Sequence, residues 1–274
     1  MKKKNLLIAL TIVVSFTACK KNTASGGGVA DSTTLDITTQ AMISDNLNED
    51  ANTVFTSSVN SDSTGSLGAR PAPYYNAIVT ISPGVFPKTV TINFGTGTTS
   101  PDGIIRSGEI IAVLSDSFYK TGSYDTLTFN NYTVNGYHKE GTIVWTNLSQ
   151  GGTLAWTRVD SGTVTAPGGL SYWHHYGTTS VLQTGGIGDN NLLDNVYSIS
   201  WNSHTIVNSA GVTAISVVLP ITPLEKKADC PYIDAGQLVI SVGSNQMLIN
   251  FGDGTCDDIA SYSYNNGSFQ NFTF

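Results

Sequence analysis

Five consecutive residues, Tyr172-Trp173-His174-His175-Tyr176, form the densest run of chemistry-bearing side chains in the sequence. Indole and phenol rings offer flat faces for sugars, and paired imidazoles are ligands for transition metals. In a strand, however, His174 and His175 point to opposite faces and cannot share an ion. No third ligand lies near them in sequence, so neither a metal nor another cofactor is expected. Tyr172, Trp173 and Tyr176 remain candidate ligand contacts. The simpler arrangement packs these three rings on a sheet with the histidines facing solvent.

A second cluster, Asp253, Asp257 and Asp258 around Gly254, has the oxygen-rich character that calcium prefers. It lacks EF-hand spacing and has Cys256 inside it, so capping of turn backbone is the expected role. Hydrolytic signatures are missing: there is no Gly-x-Ser-x-Gly, no His-Glu-x-x-His and no Ser-x-x-Lys in a recognisable setting. The only histidines are His138, His174, His175 and His204, and there are four glutamates, which leaves little material for an acid–base pair. The balance favours a non-enzyme, with a hydrolase using dispersed carboxylates as the weakest alternative.

The N-terminus supplies an address. Lys2, Lys3 and Lys4 precede an apolar run from Leu6 to Phe16, within signal-peptide length and too short to span a bilayer. Thr17, Ala18 and Cys19 follow. This resembles the lipobox of bacterial lipoproteins, which implies that residues 1–18 are removed and Cys19 is acylated. Lipid would then be the membrane anchor. The mature chain carries ten basic and twenty acidic residues, a formal charge of −10. Nucleic acid is therefore not an expected partner. Cys230 and Cys256, the pair left after processing, are expected to form a disulfide in an oxidising envelope.

These groups must be positioned by a largely β chain. Only 12% of residues are charged, while turn formers and β-branched residues abound. Residues 19–36, with Gly26-Gly27-Gly28, read as a flexible tether. Ile43, Leu47, Ala51, Val54 and Phe55 recur at helical spacing, predicting an amphipathic helix over 37–58 with Asp45, Glu49 and Asp50 on its other side. Residues 59–73 read as a linker. From 74 to 274 the pattern is strands. Asn135-Gly136 and Asn266-Gly267 lie between β-rich arms and predict tight hairpins, hence antiparallel meanders. Ile92–Thr98 matches Ile249–Thr255 at six of seven positions. Two related lobes, or one strand-to-turn device used twice, would both give this echo.

Residues Val90–Phe94 with Gly95-Thr96-Gly97, Asp102-Gly103, Arg106-Ser107-Gly108, Asn131–Gly136, Pro223-Leu224 and Phe251–Asp258 together resemble a group of uncharacterised envelope lipoproteins common in Bacteroidetes. The resemblance implies a lipid-anchored protein of long antiparallel strands and supplies no catalytic residues. It also implies possible O-glycosylation at Asp-Ser/Thr sites, of which Ser32 and Ser63 are the better placed and Thr126 the third.

The resulting expectation is an all-β antiparallel meander, forming an elongated sheet or sandwich, preceded by one short N-terminal helix. Its expected role is a non-catalytic envelope lipoprotein with structural or protein-binding work. The alternative is a glycan-binding surface built on Tyr172, Trp173 and Tyr176. Lys20 and the lack of acidic residues just after Cys19 lean the location to the periplasmic face of the outer membrane rather than the cell surface.

Overall fold

A helix as poor in helix formers as Ser32–Asn60 needs outside support, because Thr, Asn and Ser favour caps and turns over helix interiors. In the computed structural model, which describes residues 30–60, 70–72, 75–188 and 191–273, that support is a sheet wrapped around it. Cys19, Ser63 and the signal peptide lie outside the described residues. The helix, α1, spans Ser32–Asn60 and so extends beyond the expected 37–58 at both ends. Asp31 caps its start: the carboxylate accepts from the Thr34 N–H at 2.9 Å and from the Thr34 hydroxyl at 2.9 Å. Ser32 is thus the first helical residue and not part of a tether. Hydroxyls of Thr39, Thr53, Thr56 and Ser58 bond back to the preceding turn, so they do not call for water.

The strands are β1 (Arg70–Ala72), β2 (Ala77–Ile81), β3 (Lys88–Asn93), β4 (Thr98–Thr99), β5 (Ile105–Leu114), β6 (Tyr124–Val134), β7 (Tyr137–Asn147), β8 (Ala155–Thr165) and β9 (Tyr172–Gly185). They continue with β10 (Val196–Ser200), β11 (His204–Asn208), β12 (Thr213–Val218), β13 (Leu224–Lys227), β14 (Ala235–Val242), β15 (Asn245–Asp253), β16 (Ile259–Tyr264) and β17 (Gln270–Thr273). All pairings are antiparallel and belong to one sheet. From β5 to β9 each strand pairs with the next. β9 then pairs with β11 along its first half and β10 along its second, so β10 and β11 act as one interrupted strand. β12 and β13 do the same against β14, and β15, β16 and β17 finish the meander. The expected all-β antiparallel meander behind an N-terminal helix is what the chain forms.

Helix α1 touches β3 and β5 near one end of this order and β12 and β14 near the other. One sheet can reach both sides of a helix only by curling around it. Backbone irregularities fall where the curl needs them. Gly108 in β5 and Asn131 in β6 take positive φ at register shifts, and Gly141 of β7 pairs with Gly162 of β8. A Cβ on Gly162 would lie 2.1 Å from the Glu140 carbonyl oxygen, so this approach admits no side chain.

Asn135 and Gly136 both have positive φ and join β6 to β7, as the sequence predicts. In the last hairpin the positive-φ pair is Asn265-Asn266, one residue earlier than expected, and the Gly267 N–H closes the turn on the Tyr264 carbonyl at 2.8 Å. The two echoed segments use the same device: Asn93 accepts from the Gly95 N–H and Asn250 from the Gly252 N–H. Cys230 and Cys256 form the disulfide, with Cα atoms 5.7 Å apart.

Candidate functional site

Between Ala41 and Val59 no helix residue is exposed. Apolar residues such as Ala41, Leu47, Ala51 and Phe55 join the core. The other side of the helix, where Asp45, Glu49 and Asp50 were expected, is turned away from solvent as well. Charges can be taken out of water only when paired and hydrogen-bonded. The curled sheet supplies the partners from its inner face.

Three connected groups result. Arg158 of β8 forms a two-pronged ion pair with Glu49 and lies over the Trp145 ring. Arg106 of β5 bridges Asp50 and Asp102, while the Tyr132 hydroxyl donates to Asp50 at 2.8 Å. The third group is centred on Asp45, His175 of β9 and His204 of β11, all buried. His204 Nδ1 lies 3.1 Å from Asp45 Oδ1, and His175 Nε2 lies 3.4 Å from the same oxygen. The other ring nitrogens are also engaged: His175 Nδ1 sits 2.7 Å from Asp160 Oδ1, and His204 Nε2 3.0 Å from the Thr179 hydroxyl. Trp201 stacks on the His204 ring at 4.1 Å between centroids.

The electrostatics follow from this geometry. Burial pushes Asp45 and Asp160 up, but hydrogen bonds from the imidazoles outweigh it; both end below the usual carboxylate range, Asp160 at about 2. Burial pushes His175 down, yet Asp160 and Asp45 raise it to about 9. Lys139, which donates to Asn48, and Lys226, which donates to the Cys230 carbonyl, are each lowered to about 8 by burial. A cavity of about 40 Å³ lies among Glu49, Asn52, Tyr75, Trp145, Arg158 and Lys226. It has room for water and nothing the size of a metabolite.

The aromatic cluster divides by strand alternation. Trp173 and His175 point inward, whereas Tyr172, His174 and Tyr176 point outward. Trp173 is 1% exposed and its indole N–H donates to Ser44 at 2.6 Å, so it is a core residue and not a ligand platform. Nor do both histidines face solvent. Tyr172 and Tyr176 are 45% and 48% exposed, in one row with His174 between them. Beside Tyr176 the break between β10 and β11 opens an outer groove of about 470 Å³, lined by Thr178, Ser180, Ser200, Asn202 and Ser203 among others. Asp253 and Asp257 accept from turn N–H groups of Thr255 and Ile259, as expected for capping residues.

Sequence reasoning missed Asp45, Asp160 and His204 as partners of His175. Their positions in sequence are far apart, and only the sheet's curl brings them together. No protein-family model, no curated protein and no solved structure matches this chain.

Proposed function

We propose that this chain is a lipid-anchored cell-envelope protein, non-catalytic, that works by presenting the outer face of its sheet to a partner. One observation carries the reading. The charged side chains most suited to chemistry are turned inward and spent on each other, tying α1 to β5, β8, β9 and β11. The cavity beside Glu49 and Arg158 is water-sized. The outer face of the sheet carries polar residues together with exposed apolar ones such as Tyr124 and Val159. The lipobox-like Thr17-Ala18-Cys19 sequence supports the anchor.

Two measurements test this. The mass of the N-terminal peptide from the envelope fraction should correspond to acylated Cys19, and Cys19→Ala should release the protein from membrane. Photocrosslinking residues placed at Tyr124, Val159 and Tyr176 in living cells should capture one discrete envelope partner. Retention of residues 1–18, or no crosslink from any outer position, would count against the reading.

A second reading is favoured by the row Tyr172–His174–Tyr176 running to the outer groove. Aromatic faces beside hydroxyl and amide groups suit a carbohydrate. A glycan array tests it, with Tyr176→Ala expected to abolish any signal.

A further inference from the structure

We propose that Asp45, His175 and His204 bind one divalent transition-metal ion, of which Zn²⁺ is the best match, at a closed structural site that fastens α1 to β9 and β11. Donor atoms of the three residues all lie within 4.8 Å of one another. The two imidazole–carboxylate separations are 3.4 and 3.1 Å. Tetrahedral zinc with metal–ligand bonds near 2.0–2.1 Å places its donors roughly 3.3 Å apart. Asp45 Oδ1 therefore already stands at coordination spacing from both imidazole nitrogens.

Two atoms of the cluster make no well-formed hydrogen bond. His175 Nε2 has only the long ion-pair contact with Asp45 Oδ1 at 3.4 Å, and Asp45 Oδ2 is buried without a hydrogen-bond partner. Orphaned buried polar atoms are costly, and each is an atom that coordination would use. Imidazole planes 85° apart, with ring centroids 5.1 Å apart, bring nitrogens in from two directions. With Asp45 chelating through both oxygens, whose bite is shorter than a tetrahedral edge, three residues supply a distorted four-donor set.

The surroundings have the form that metal-bound histidines need. A ligating imidazole usually gives its remote N–H to a carboxylate or other acceptor, which fixes its tautomer. His175 has Asp160 at Nδ1, leaving Nε2 for the ion. His204 has Thr179 at Nε2, leaving Nδ1. Trp201 holds the His204 ring from one side, and Gly177 leaves space beside it: a Cβ there would lie 2.1 Å from His204 Cδ2. Asp160 is itself held by the Asn48 amide at 2.9 Å. The imidazole-rich donor set selects first-row transition metals over calcium or magnesium. Because all three ligands are buried, loading accompanies folding.

The test uses the tag-free full-length protein in detergent, unfolded with chelator and refolded with ZnCl₂, with CoCl₂, or with EDTA. The expected result is about one metal per chain after gel filtration. X-ray absorption at the metal edge should show two imidazoles plus oxygen donors. Melting should rise by roughly 5–10 °C when metal exceeds its dissociation constant about a hundredfold. His175→Gln and His204→Gln should each cut bound metal at least about tenfold, while His174→Gln on the outer face leaves it unchanged. If the inner variants do not fold, the absorption spectrum of the unaltered protein decides by its ligand count. No metal retained by the refolded protein, a spectrum without two imidazoles, or full binding in both folded inner variants would overturn the proposal.

Discussion

Asp160 Oδ1 lies 2.7 Å from Nδ1 of His175, joining the inner faces of two adjacent strands beneath the helix. The same carboxylate oxygen accepts from the Asn48 amide of α1, so one side chain ties two strands to the helix. Removing one member of a buried pair leaves the other charged and unsolvated, at a cost of about 3–5 kcal/mol. Asp160→Asn should show that loss in denaturant melts. A change within about 0.5 kcal/mol, the range of ordinary surface substitutions, would contradict it.

Gly177 makes room for His204. A methyl group placed there meets the imidazole at 2.1 Å, so Gly177→Ala must displace the ring from both Asp45 and Trp201. The expected outcome is a lower melting temperature together with a changed Trp201 fluorescence. Unchanged emission from Trp201, isolated by replacing the other tryptophans with phenylalanine, would show that the ring had not moved.

Burial raises Asp125 to about 7 from an ordinary value of 3.8, and its Oδ1 has no hydrogen-bond partner. The folded state therefore holds this proton more tightly than the unfolded chain. The corresponding stability is fully present below about pH 4 and is lost as pH rises through about 7. Asp125→Asn removes that dependence. The variant should match the parent at low pH and exceed it by roughly 1–3 kcal/mol at neutral pH, the scale of an unsatisfied buried group. Parallel stability curves from pH 4 to 8 would refute the assignment.

Much of the fold was legible because local chemistry dictates it. Asn135-Gly136 marks its hairpin since both positions need positive φ. The helix was visible in the spacing of Leu47, Ala51, Val54 and Phe55, but its start was obscured: Asp31-Ser32-Thr33 resembled a modification site, while Asp31 and Thr34 form the cap. The buried charges were hidden by the default that acidic helix residues face water. Their partners sit at alternate positions of distant strands, and which face of a strand turns inward is not set by alternation alone. Tryptophan gives the missing signal. Trp156 shares its side of β8 with Arg158 and Asp160, and Trp173 shares its side of β9 with His175, while Val159 is half exposed. The charges follow the tryptophans inward.

The Cys230–Cys256 bond closes a loop with a sequence separation of 26 and ties the segment after β13 to the turn after β15. Chain-entropy arithmetic assigns such a loop about 3 kcal/mol. The Cys230→Ser/Cys256→Ser double variant should lose that amount relative to the oxidised parent, and the parent should lose it on reduction. Equal stability of oxidised and reduced parent would contradict the expectation.

A double-mutant cycle on Glu49 and Arg158 asks whether the inward-facing charges serve to hold the helix in the sheet. Glu49→Leu and Arg158→Met singly should each cost about 3–5 kcal/mol, since each strands a buried charge. The double variant, with no charge left to strand, should cost no more than about either single change, giving a coupling of at least about 3 kcal/mol, and should still give the crosslink proposed at Tyr176. Additive losses in the cycle, or a stable double variant that no longer crosslinks, would contradict the account.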